Sequence, residues 1–186
     1  AEMFADFRYT EVYSVDGGFA PLAAALAAAA GSPVPVLPAD ASPDLRDFVA
    51  GFGFDPDNLD AAREHGLTPL MRAALLGRSD WLQALLAAGV DIGLRNGDGN
   101  NALWLACVSR APAAIQTLVE AGIDLDNRND VGATCLMYAA SSGREEIVAA
   151  LLAAGADAYI RNDDEALAVD LASTLECLRL LRHTAG

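Results

Sequence analysis

Lysine is absent: all 12 basic residues are arginine. That excludes Schiff-base catalysis and every lysine modification. Histidine is nearly absent too, since only His65 and His183 occur and neither stands near a cysteine or carboxylate in a catalytic spacing. No constellation for acid–base or nucleophilic chemistry is visible. The three cysteines, Cys107, Cys135 and Cys177, lack the even number and close spacing of a disulfide or zinc framework. They read as buried free thiols, in keeping with a reducing compartment. No apolar run is long enough to span a bilayer; the best candidate, residues 19–30, is short and contains Pro21. No signal peptide is visible, and Ala1 in place of methionine reads as a trimmed chain. The expected location is therefore cytoplasmic, a periplasmic or secreted one following only if a leader has been removed.

What the chain has in excess is acid and alanine. The net charge is −14, from 26 acids, and it is spread along the chain, with −8 over residues 1–64 and −6 over residues 65–186. Such a surface disfavours nucleic acid and steers a basic partner toward it. With 53% of its 186 residues hydrophobic, the chain can bury a core, and the small size of alanine lets short helices approach closely. Alanine richness without lysine points to a GC-rich bacterial genome.

The organising feature is a period of 33 residues. Gly66, Gly99 and Gly132 mark one series, continued in register by Glu165; Gly89, Gly122 and Gly155 mark a second, each followed two residues later by Asp91, Asp124 or Asp157. Arg95-Asn96, Arg128-Asn129 and Arg161-Asn162 form a third. A fixed period of this length signals a repeat architecture. Within the central unit, Thr134 caps a short helix with Leu136, Ala139 and Ala140 on one face, and Gly143 ends it. A second helix follows, with Ile147, Val148, Leu151 and Leu152 as its stripe and Gly155 as its stop. Helices of roughly ten residues are not stable alone in water, so neighbouring units must stack.

These motifs resemble the ankyrin repeat. Gly66-Leu67-Thr68-Pro69-Leu70 is similar to the family's G-x-T-P-L, Ala139-Ala140 and Leu151-Leu152 to its core positions, and Gly155-Ala156-Asp157 to its G-A-D ending. Met71, Trp104 and Met137 stand where the family usually has histidine, so the customary bond to the preceding threonine is lost. The second unit departs furthest, with Asn101 for that threonine, Arg110 for the mid-repeat glycine and Pro112 opening the second helix. The resemblance implies an all-α solenoid of stacked helix-turn-helix units with hairpin-like loops, preceded by an amino-terminal extension.

In chain order, residues 1–41 form that extension: a strand or arm over 1–18, a helix over 19–30 ended by Gly31, then a proline-rich connector through Pro33, Pro35, Pro38 and Pro43. Residues 42–62 read as a degenerate cap repeat whose helix starts at Ser42-Pro43-Asp44 and turns Leu45, Phe48, Val49 and Phe52 to one face. It lacks a first helix unless residues 19–30 supply one. Three repeats fill 63–162, and 163–186 form the closing cap.

The resemblance implies a concave face, built from loop tips and first helices, that binds another protein. The tips carry Glu64 and His65, Gly97 and Asp98, Asp130 and Val131, then Asp163 and Asp164. The helix positions facing the groove are Arg72, Leu75 and Leu76, then Leu105, Val108 and Ser109, then Tyr138, Ser141 and Ser142. Leu75 and Leu76 make an apolar patch of the kind that marks interfaces, unless the extension covers it. Trp81 and Trp104 belong in the core. Gly97-Asp98-Gly99 imitates a dinucleotide fingerprint without the strand before it, and Asp124, Asp126 and Asp130 imitate a calcium loop with Arg128 at a ligand position; both are set aside. The expected function is non-enzymatic: a monomeric adaptor, regulator or inhibitor, needing no cofactor or metal, whose protein partner carries a basic surface in the immunity-type version. The alternative is a small-molecule or enzymatic role at the junction of the extension and first repeat, in a pocket lined by Tyr9, Tyr13, Leu75 or Leu76.

Overall fold

The computed structural model describes residues 33–183; the expectations for residues 1–18 and 19–30 lie outside them. Among these residues eight α-helices follow one another and no strand occurs. They are α1 (Pro43–Gly51), α2 (Pro69–Leu75), α3 (Ser79–Ala87), α4 (Ala102–Val108), α5 (Pro112–Glu120), α6 (Cys135–Ser141), α7 (Glu145–Ala154) and α8 (Leu175–His183).

Each first helix starts on the same device. Thr68, Asn101 and Thr134 accept the amides of Met71, Trp104 and Met137 at 3.3, 3.1 and 3.3 Å, which satisfies one free N–H at each start. Asn101 therefore does the work of the threonine it replaces. The side chains in the family's histidine position, Met71, Trp104 and Met137, are buried and add apolar packing instead. The first helices stack α2 on α4 and α4 on α6, while α3 lies along α5 and α7 along α8. Leu82, Leu85, Leu103, Leu118, Leu136 and Leu151 are sealed between them.

The repeated Arg-Asn pair closes each hairpin. Asn129 Oδ1 accepts from the amides of Val131 and Ala133 at 3.2 and 2.9 Å, and Asn96 and Asn162 do the same in their loops. One backbone bond then ties each tip to the next: Gly97 N to His65 O, Asp130 N to Asp98 O, and Asp163 N to Val131 O, at 2.8, 3.0 and 3.3 Å. Gly99 sits at φ 78°, and a β-carbon there would lie 2.9 Å from the backbone nitrogen of Asp130. Glycine is needed wherever another hairpin presses on the position. After Glu165, at φ 62°, no further hairpin follows among the described residues, and a side chain is tolerated.

Among the described residues both end units show only the outer helix. Residues 35–37 run beside the loop after α1, with Leu37 N bonded to Pro56 O at 2.7 Å and Leu59 N to Pro35 O at 2.8 Å. Helix α1 takes the place of a second helix, since Phe48 stacks on Trp81 of α3 with ring centroids 4.2 Å apart. At the far end residues 168–171 form only turns before α8. The face of α2 toward α1 thus meets no inner helix among the described residues.

Candidate protein-binding groove

The loop tips and first helices present a row of side chains at 33-residue intervals. At the tips Glu64, His65, Asp98, Asp130, Val131, Asp163 and Asp164 are all exposed, Val131 at 52%. Two of the acids are held in place. Arg95 reaches Asp130 at 3.8 Å and Arg128 reaches Asp163 at 2.9 Å, each arginine also donating through Nε to a carbonyl of its own loop, Gly99 O or Gly132 O. Asp130 and Asp163 therefore brace neighbouring repeats as well as colouring the surface negative. Exposed pairs of this kind are worth under about 1 kcal/mol apiece, so the bracing is mainly positional.

Along the helices the row is less uniform than the spacing suggests. Arg72, Leu75, Val108 and Tyr138 are half-buried, and Leu76 is exposed at 47%. Leu105, expected on the groove, is instead buried at 7%, because α4 is clasped between α2 and α6 and turns that side chain inward. Trp104 is buried as expected, its ring 5.2 Å from that of Tyr138. The Tyr138 ring also lies 4.8 Å beneath the Arg144 guanidinium. Arg144 in turn donates to the carbonyls of Cys107 and Val108, closing the carboxyl end of α4 from the following repeat. Nothing in the one-dimensional pattern marks Arg144 for that role.

Phe52 corrects a second expectation. Its spacing places it with Leu45, Phe48 and Val49 on the buried face of α1, yet it is 46% exposed, since it follows the last turn and no inner helix stands beside it among the described residues. Its ring lies 4.9 Å under the guanidinium of Arg72. Phe52, Phe54, Leu67, Arg63, Glu64 and Arg72 surround a pocket of about 450 Å³ at the start of the first repeat. Neither Leu75 nor Leu76 lines it, and Tyr9 and Tyr13 fall outside the described residues.

A larger groove, about 610 Å³, opens on the opposite side of the stack between α5 and α7, over Ile115, Val119, Ile147 and Ala150. The three thiols are buried and unpaired. A hydrogen bond with Cys107, reinforced by burial, holds the Cys135 thiol well above the usual range, and a protonated thiol is a poor nucleophile. Among the described residues no helix is long and apolar enough to cross a membrane, and no group of three metal-ligating side chains converges. Compared with known families, residues 70–162 match the model described as ankyrin repeats, in three copies.

Proposed function

Because the chain belongs to the ankyrin-repeat family, whose repeats generally mediate contacts between proteins, we propose that it is a non-enzymatic adaptor, regulator or inhibitor that grips a protein partner along α2, α4 and α6 and their loop tips. The observation that carries this reading is the run of accessible side chains, Leu76, Val108 and Tyr138 at successive first helices and Asp98, Val131 and Asp164 in register at the tips, on loops tied to one another by backbone bonds. A rigid, pre-positioned surface binds without an ordering cost. The protein acts as a cytoplasmic monomer, and its negative tips suit a partner with a basic surface, as in an inhibitor of the immunity type.

The test is affinity capture from a lysate of the native organism, followed by measurement of the captured protein against variants. Val108→Asp with Tyr138→Ala should abolish capture, whereas Gln116→Arg on the outer side should leave it intact. Capture unaffected by the first pair and lost with the second would overturn the reading. For a basic partner the association rate should fall as salt is raised; a rate independent of ionic strength would remove the inhibitor version.

A further inference from the structure

Most arginines of this chain already hold an acceptor. Arg78, Arg95, Arg128, Arg161 and Arg179 pair with carboxylates, and Arg46 and Arg144 bond backbone carbonyls. Four others, Arg63, Arg72, Arg110 and Arg182, do neither among the described residues, although acids outnumber bases 26 to 12; of these Arg63 and Arg72 lie together. Both line the one 450 Å³ pocket beside α1, and Glu64 in the same lining pairs with neither. The Arg72 Nε–H is buried and bonded to nothing, as is that of Arg144, but Arg144 has its carbonyl acceptors at Nη1 and Arg72 has none. A desolvated donor without an acceptor is destabilising, and such an orphan in a native fold calls for a partner.

We propose that this pocket receives an aspartate or glutamate side chain of the protein partner, followed by an apolar residue that rests on Phe52 and Leu76. The inference rests on the protein-binding reading above and adds the chemistry of the segment that reaches the first repeat. The Phe52 ring lies against one face of the guanidinium, and it is along the edge of that plane that a carboxylate bonds twice. Three carbonyls at the end of α1 are already engaged, which lessens their repulsion of an anion. Those of Phe48, Val49 and Ala50 are taken by the amides of Phe52, Phe54 and Gly53 at 3.1, 2.9 and 3.0 Å. Leu76 lies one helical turn beyond Arg72 on the same face and is exposed at 47%, so the apolar contact adjoins the charged one. Glu64 and the net charge of −14 disfavour a doubly charged phosphate here, and a single carboxylate matches the two arginines better.

The long-range field of the chain repels the same ligand, which gives the site a signature. Added salt should speed association of an acidic segment, opposite to its effect on a basic one. The probes are acetyl-Leu-Glu-Phe-amide and its uncharged counterpart acetyl-Leu-Gln-Phe-amide, titrated into the full chain while arginine Nε–Hε and backbone amide resonances are followed by NMR. The glutamate peptide should shift the Arg72 Nε–Hε signal and the amides of Phe52, Gly53 and Phe54, and bind about tenfold more tightly than the glutamine peptide. Arg72→Gln should erase that preference. Arg63→Gln, at an exposed position, should weaken it, and Arg110→Gln on the outer side should not. Equal binding of the two peptides, shifts centred elsewhere, no shift up to the solubility limit, or a preference that survives both pocket variants would each overturn the proposal. The groove reading is judged separately: if capture still depends on Val108 and Tyr138 while the peptides fail here, only the carboxylate pocket falls.

Discussion

The junction between the first and second repeats and that between the second and third use the same register of residues, yet their outer helices meet differently. Helix α3 packs along α5, whereas α5 and α7 stand apart around the 610 Å³ groove. Two positions account for the contrast. At the first junction Gly77 carries no side chain, and a β-carbon there would already lie 3.0 Å from that of Ala111; its counterpart at the second is Arg110, whose side chain lines the groove. One turn on, Ala114 is the small residue facing back at the first junction, and Ile147 takes its place at the second. A glycine and an alanine let helices touch; an arginine and an isoleucine hold them apart. The spacing of a solenoid is therefore set junction by junction, by the size of a few facing residues, even when the backbone period is constant.

The largest test of this contrast compares core deletions on the two sides. Leu82→Ala, at a fully buried site of the close junction, should cost about 3–5 kcal/mol, and Ile147→Ala, beside the groove, about 1–2 kcal/mol, because Ile147 already lacks partner atoms on one side. Urea denaturation reads both, and equal losses would mean that the groove does not weaken its walls.

Next come the polar clamps across each junction. Ser109 Oγ donates to Ala74 O at 3.0 Å across the first, and Arg144 donates to Cys107 O and Val108 O across the second. Arg144→Ala strips two carbonyls and a ring contact, so about 2–3 kcal/mol should be lost, against about 1 kcal/mol for Ser109→Ala. With its outer helices already apart, the second junction should then uncouple. The urea transition of Arg144→Ala should broaden, while that of Ser109→Ala stays cooperative; broadening in the serine variant alone would reverse the assignment.

A smaller effect of opposite sign is expected at Arg110. It sits at φ 54°, where its counterparts Gly77 and Gly143 adopt 68° and 64° without strain. Arg110→Gly should raise stability by about 1 kcal/mol, seen as a higher melting temperature. A loss instead would show that the Arg110 side chain, and not merely its backbone, supports the groove wall.

How much of this was legible beforehand follows from what a period can encode. The series Gly66, Gly99, Gly132 and the cap Thr134 are backbone requirements, and they predict the helices and turns that are found, whereas the capping by Asn101 reads in sequence only as a departure. The faces of helices are legible for the same reason, which is why Trp81 and Trp104 are correctly expected in the core. The exposure of Phe52 and the burial of Leu105 are not, because each depends on which neighbour is present beside the helix and how close it comes. The arginine braces were hidden in the charge count, although Arg95 to Asp130 and Arg128 to Asp163 share one separation in sequence. A bond between repeats shows in sequence only when its partner is sought one period away. The pocket at Arg63 and Arg72 arises where the period stops, at an end unit with no inner helix among the described residues.

The loops beneath the outer helices supply the smallest test and reverse the ranking of the junctions. Asp126 Oδ1 accepts the amide of Asp157 at 2.9 Å, and Asp60 Oδ1 accepts that of Asp91 at the same distance, but the position between them in register is Gly93, so the close junction lacks this bond. For Asp60 the bond carries a cost. Burial raises its pKa, the Asp91 amide partly offsets the rise, and the Asp91 charge adds to it. A carboxyl whose folded pKa lies above its unfolded value is held more comfortably when protonated, so its ionised form subtracts stability once pH exceeds the folded pKa, and that deficit fades as pH falls through the carboxylate range. Asparagine keeps the accepting oxygen and never ionises. Asp60→Asn should therefore melt slightly higher than the parent at pH 7, by less than about 1 kcal/mol for a half-exposed group, and match it below about pH 4. A variant less stable at pH 7 would mean that the negative charge strengthens the bond to Asp91 by more than burial costs it, and the loop bond would then rank with the helix contacts in joining the first repeat to its cap.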